Sequence, residues 1–197
     1  MVKERIRERV VETKRHLILE EVSRILEREG FEELKMQELA RRLGISVGAL
    51  YKLFASKEAL YHAYIDFQIR RFHERLREEC PSQTGPRKCL ERYIRMKFDV
   101  FSTQRKAIED PVVGDPLFFL KMSSRQKDPA QPIFDYLAGL FEALAQTTPL
   151  KESNPLKVAY LFNAFTTGYI EYWLRFEKEL KASEAEVLST FLEGMQA

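Results

Sequence analysis

The chain has 197 residues, room for one large domain or two small ones, and its 32 Lys and Arg nearly balance 30 Asp and Glu for a formal net charge of +2. A protein this close to neutral does not coat a polyanion by charge alone, so any nucleic acid it binds must meet a local surface. No apolar run approaches the roughly 20 residues that cross a bilayer. The N-terminus is charged and lacks the apolar stretch of a signal peptide, so a cytoplasmic protein with no membrane partner is expected, and Cys80 and Cys89 are expected as reduced thiols.

The pattern reads as all helix, with neither an internal repeat nor a convincing alternation of apolar and polar residues. Pro- and Gly-rich breaks at 80–86, 110–116, 127–132 and 147–155 leave room for about 8 to 10 helices. The first is expected from Ile6 to Glu29, closing at Gly30. Its start is basic, with Lys3, Arg5, Arg7, Arg9, Lys14 and Arg15 outweighing Glu4, Glu8 and Glu12. That excess suits either a frayed, solvated end or an arm laid along a phosphate backbone.

Residues 36–60 are the most informative. Met36, Leu39, Ala40 and Leu43 recur at helical spacing, and Gly44 follows as a residue able to take the left-handed conformation that ends a helix. Ile45 turns back into the corner, and Ser46 can cap a second helix. In that second helix Leu50 and Phe54 face inward, which leaves Val47, Gly48, Ala49, Tyr51 and Lys52 outside. A surface helix usually presents long charged side chains, whereas this one opens with three small residues. Two short helices so punctuated form a helix-turn-helix, whose second helix enters a DNA major groove by its N-terminal end. A further helix starts near Ser56 and runs toward Glu79.

This stretch resembles the head of the TetR-family (tetracycline-repressor-like) transcriptional regulators. The likeness covers about residues 15 to 62 and is carried by Ile18, Val22, Ile25, Leu26, Gly30-Phe31, Leu39-Ala40, Gly44-Ile45-Ser46, Gly48, Leu50-Tyr51, Phe54 and Ser56 to Leu60. The resemblance implies an all-α fold, with a three-helix head over 1–62 and a helical effector-binding and dimerisation body over 63–197. It implies DNA contacts from Lys35, Gln37, Ser46, Val47, Gly48, Ala49, Tyr51, Lys52 and Lys57. Two departures bear on those contacts. Leu34-Lys35 stands where the family usually has a capping Thr or Ser, and Leu53 where it has Tyr or His. Lys35 can replace the lost phosphate contact with a charge; Leu53 cannot.

In the remainder, the helix expected from Pro155 to Leu180 is apolar nearly all round, which marks burial on two sides. Val158, Leu161, Phe162, Phe165, Tyr169, Tyr172, Trp173 and Phe176 form its main stripe, and Tyr160, Thr167, Ile170 and Leu174 keep much of the opposite face apolar or weakly polar. A last helix opens at Ser183 with Glu186 as a capping box and carries Val187, Leu188, Phe191, Leu192 and Met195. The family's last two helices pair across a two-fold axis, which implies a homodimer here. Phe101, Phe118, Phe141, Phe165, Tyr169 and Trp173 are the candidate wall of an effector pocket. Few charges accompany them, and Arg92, Arg95 and Asp99 share a solvated face, so the expected effector is apolar or aromatic.

Nothing in the sequence supports catalysis: there is no phosphate loop, nucleophile elbow or zinc-spaced Cys/His set. No metal or other cofactor is expected, since His62 and His73 are about 16 Å apart along one helix and Glu58, His62 and Asp66 read as a solvated face. The sequence therefore points to a homodimeric regulator of double-stranded DNA, a repressor released from a pseudo-palindromic operator by a small molecule. The rival is a ligand-independent DNA-binding dimer with a structural body.

Overall fold

The computed structural model describes residues 2–29, 34–103, 128–177 and 183–195. Eight helices and no strand occur among the described residues: α1 (Val2–Glu29), α2 (Met36–Arg42), α3 (Val47–Leu53), α4 (Lys57–Glu79), α5 (Pro86–Thr103), α6 (Gln131–Ala145), α7 (Pro155–Phe176) and α8 (Glu184–Met195). None is long and apolar enough to cross a membrane. The all-helical reading holds. α1, however, begins at Val2, before the apolar pattern that locates its core-facing part, because Arg- and Glu-rich sequence is helix-forming without tertiary contact.

The described residues divide into two compact units, and the chain passes from the first to the second within α4, between Arg70 and Arg71. In the first, α1 contributes Ile18, Leu19, Val22, Ile25 and Leu26, spaced so that they share one helical face. Leu39 and Ala40 of α2, Leu50 of α3, Phe54, and Leu60, Tyr61, Tyr64 and Phe67 of α4 close the same core. Buried Ser23 accepts from Gln68 Nε2 at 2.7 Å, which ties α1 to α4.

The second unit is built from the end of α4 and from α5 to α8. Leu76, Leu90, Ile94, Leu137, Phe141, Val158, Phe162, Leu188 and Phe191 are buried together. The Phe162 ring lies 5.3 Å from Phe141 and 5.1 Å from Phe191, so three helices meet at one aromatic cluster. Asn154 caps α7, its Oδ1 accepting from Leu156 N and Lys157 N, with Pro155 at the first helical position. Ser183 Oγ accepts from Glu186 N at 3.3 Å, half of the expected capping box. Cys80 and Cys89 are buried free thiols. Burial, with the Cys89 thiol beside it, pushes Cys80 up to about 12, which disfavours the reactive thiolate.

α7 is not covered on both sides within this unit. Val158, Phe162, Thr166, Ile170 and Trp173 face the core, while Leu161, Tyr172 (58 % exposed) and Phe176 (71 % exposed) face out.

The corner between α2 and α3 depends on Gly44, the sole described residue with a positive φ, at 64°. Ile45 N donates to Ala40 O at 3.0 Å and Gly44 N to Arg41 O at 3.2 Å, the paired closure of a Schellman motif. A Cβ at Gly44 would meet nothing within 4 Å, so substitution there tests backbone conformation alone. Gly44→Ala is expected to destabilise the head by about 1 kcal/mol, measured by thermal unfolding followed by circular dichroism. An unchanged midpoint would mean the corner tolerates a Cβ in this conformation.

Candidate functional site

α3 is two turns long and is fixed from one side. Leu50 and Phe54 anchor it in the head core, and Ser46 caps it, Oγ accepting from Ala49 N at 3.1 Å. Its other side is open: Val47, Gly48, Tyr51 and Lys52 are exposed and Ala49 is half-buried. A Cβ at Gly48 would meet nothing within 4 Å. The helix thus presents a low ridge of small side chains at its N-terminal end, with a phenol and an ammonium one turn on. Such a ridge lets the backbone come close to an opposing surface.

The flanks bring further polar groups to this unit. Lys35 stands at the N-cap of α2 with an extended backbone and is exposed; an ammonium has no acceptor with which to cap the helix. Gln37 is exposed in the first turn of α2. Glu38, in the same turn, accepts from Arg41 at 2.6 Å and Arg42 at 3.1 Å; those bonds hold its carboxyl down at about 2. Lys57 opens α4, whose first turn is capped by Ser56 Oγ accepting from Ala59 N at 3.0 Å. A lysine in the first turn of a capped helix joins a positive side chain to the positive end of the helix dipole.

Sequence reasoning missed Arg15 as an individual. Its guanidinium lies 4.4 Å from the Phe54 ring centroid and donates to the Leu53 carbonyl at the C-terminal end of α3. A cation there complements the negative end of the α3 dipole and ties α1 to the exposed helix. The signal was its phase: Arg15 lies three residues before Ile18 and one heptad before Val22, on the face that enters the core.

In the body, Phe141 is fully buried, Phe165 and Tyr169 are half-buried with rings 5.3 Å apart, and Phe101 is half-buried at the end of α5. Trp173 is 6 % exposed. Phe118 lies outside the described residues. Phe141 and Trp173 belong to one hydrophobic cluster, and Phe101, Phe165 and Tyr169 pack against it.

The body also holds a group that the expected apolar pocket did not include. Lys97 is 8 % exposed, and its Nζ donates to Asn163 O at 2.9 Å, Asn163 Oδ1 at 2.8 Å, Thr166 Oγ1 at 2.9 Å and Thr167 Oγ1 at 2.7 Å. Tyr93 OH donates to the same Asn163 Oδ1 at 2.8 Å. Burial alone lowers the amine from 10.5 to about 7. The signal was present in the pattern: Leu90, Tyr93, Ile94, Lys97 and Phe101 share one apolar helical stripe with Lys97 inside it. Arg92, Arg95 and Asp99 are exposed, on the solvated face the sequence suggested. No group of His, Cys, Asp and Glu among the described residues could hold a metal ion.

Residues 18–64 match the family profile of bacterial regulatory proteins, tetR family. The whole chain resembles several solved structures. A transcriptional regulator from Cytophaga hutchinsonii matches at 20 % identity over 92 % of this chain and 97 % of its own, with a TM-score of 0.66. A TetR-family regulator from Vibrio parahaemolyticus matches at 16 % identity over 93 % and 99 %, also at 0.66. The fatty acid degradation regulator FadR from Bacillus halodurans matches at 14 % identity over 91 % and 93 %, at 0.64. These likenesses show a shared fold across head and body. No curated protein matches the chain.

The Lys97 amine carries a pH dependence of known sign. Ionising near 7 when folded and near 10.5 when solvated, it leaves the unfolded chain with the extra proton between those values. Its destabilising effect is therefore fully present below pH 7 and is relieved as pH rises toward 10.5, at up to about 1.4 kcal/mol per unit. Its removal strands no donor, because Thr166 and Thr167 hydroxyls already donate to backbone carbonyls. Lys97→Met is expected to be more stable than wild type at pH 6, with an advantage that shrinks by pH 9. Urea unfolding across that range measures it, and a constant difference would show that the buried amine carries no charge penalty.

Proposed function

We propose that this chain, whose head belongs to the tetR family of bacterial regulatory proteins, acts as a homodimeric, sequence-specific DNA-binding regulator. It leaves a pseudo-palindromic operator when its body binds a small apolar or aromatic effector. In this reading residues 1–62 bind DNA, and residues 63–197 bind the effector and the second subunit. The observation that carries it is α3, a short helix locked into the head core on one side and presenting Val47, Gly48 and Ala49 on the other. In a major groove, Val47 and Ala49 suit thymine methyl groups, and Tyr51 and Lys52 supply polar contacts. Lys35, Gln37 and Lys57 are assigned to phosphates.

One such helix makes too few contacts to select a site among the many in a genome, and two-fold symmetry doubles them. The outward face of α7 supports a second copy as partner. Leu161, Tyr172 and Phe176 are exposed there beside exposed Ala164 and Gly168, and small residues let another helix approach closely. α4 supplies Leu60, Tyr61, Tyr64 and Phe67 to the head core and Leu76 to the body core. It is therefore the element through which a change in the body would reach the head spacing. The close packing of Phe141, Phe162 and Phe191 favours the rival, a body without a ligand. The buried Lys97 cluster is the observation that weighs against a purely structural body.

Selection of bound duplexes from a randomised pool is expected to enrich an inverted repeat with half-sites one helical turn apart. On that operator, Gly48→Glu is expected to abolish specific binding while the protein keeps its folded size, since the added side chain has open space in the free protein. Undiminished binding in a gel-shift titration would remove α3 from the groove. Lys57→Ala is expected to weaken all sequences about equally and to flatten the slope of log affinity against log salt by about 1 per protomer. A wild-type slope would reassign Lys57 to an intramolecular pair.

A further inference from the structure

An ammonium has three hydrogens to give, and Lys97 has four neutral oxygens within 2.9 Å. One acceptor is therefore surplus, and none of the four carries charge. Among the described residues burial is the one influence on the amine's ionisation, and no carboxylate of theirs acts on it. Each of these groups keeps a hydrogen bond without it: Thr166 Oγ1 donates to Phe162 O at 3.0 Å, Asn163 O accepts from Thr167 Oγ1 at 2.7 Å, and Asn163 Oδ1 accepts from Tyr93 OH at 2.8 Å. A plain tie between α5 and α7 needs no cation at this position, because a neutral side chain would bridge the helices without losing a charge's hydration.

A second buried donor lies on the same face of α7. Trp173 is seven residues beyond Thr166, two turns or about 10 Å along the axis. Its Nε1 is buried and has no hydrogen-bond partner among the described residues. Between the two lies Ile170, buried and apolar, and Phe101 follows Lys97 by one turn on α5. A buried cation with no counter-ion among the described residues and a buried N–H with no acceptor among them are complementary to one kind of molecule. It carries oxygen acceptors, one of them anionic, on an apolar frame.

We propose that Lys97, with Asn163, Thr166 and Thr167, is the receptor for the carboxylate of an amphipathic organic acid whose apolar body runs along Ile170 to Trp173. The acid oxygen exchanges with one neutral oxygen on Nζ, so that an ammonium bound only to neutral oxygens gains an anionic partner within hydrogen-bond distance. The assignment rests on the effector-controlled reading above and narrows its ligand from any apolar molecule to an acid.

Trp173 is the chain's one tryptophan, so the emission of the full-length protein reports this wall directly. Three matched pairs are titrated: decanoate and decanol, phenylbutyrate and phenylbutanol, hydroxydodecanoate and dodecanediol. At least one acid is expected to change Trp173 emission saturably, to bind about tenfold or more tightly than its alcohol, and to release the operator. In Lys97→Met, folded by circular dichroism, the acid and its alcohol are expected to bind equally. Equal binding of acid and alcohol by wild type, binding by no acid, or a preference that survives Lys97→Met would overturn the proposal. A small-molecule extract of the host cells is run beside the probes to separate the two readings. Release by the extract but by no acid defeats the acid assignment and leaves effector control standing. Release by neither defeats both.

Discussion

A helix of seven residues has too few internal hydrogen bonds to persist in water. α3 keeps its two turns because Leu50 and Phe54 are sunk into the head core, because Ser46 closes its first turn, and because Arg15 meets the carbonyl of Leu53 at its end. The exposed face is thereby a by-product of the buried one: fixing Leu50 inward fixes Val47, Gly48 and Tyr51 outward at helical phase. What that face touches is thus determined by packing some distance from it. A change at Val22 or Leu39, with no exposed surface of its own, would move the exposed helix as surely as a change upon it.

The head was legible in the sequence because each of its constraints is local. Gly44 is readable as a positive-φ stop from the apolar run before it, and Ser46 as a cap from its position two residues later. The inward pair Leu50 and Phe54 follows from spacing alone. The start of α1 at Val2 was not legible from periodicity, since its first three turns are exposed and so leave no apolar imprint. Arg15 could have been singled out by phase but was counted among its basic neighbours, as composition hides direction.

The body was legible in outline and opaque in detail for a different reason. Breaks and caps place the starts of α5 to α8, and Asn154 and Ser183 do what their types suggest, but α7 stops at Phe176 with Glu177 extended, short of the expected Leu180. Whether a residue on an apolar stripe is buried depends on a partner helix far away in sequence, however. Lys97 is inside because Asn163, Thr166 and Thr167 come to meet it from α7. No local pattern on α5 announces them. Likewise α7 reads as apolar all round, and only the fold divides it into a face used by its own core and a face left outward.

That division bears on how much an effector would have to do. Driving a two-state regulator from 99 to 1 bound to the reverse requires roughly 10⁴-fold preference, about 5.5 kcal/mol, for the released state. In a two-fold dimer with one effector site per subunit the demand is shared, falling to about 2.7 kcal/mol per site. A hydrogen bond to a charged group contributes about 1.5 to 3 kcal/mol. An acid contact at Lys97, made in the released arrangement and not in the DNA-bound one, would supply part of that, since it replaces a bond the ammonium already makes. Apolar burial along α7 that differs between the two arrangements would supply the rest, and burial common to both would set the concentration at which the response occurs. On the proposed reading dimerisation would serve twice: once to read enough DNA, and once to divide the work of letting it go.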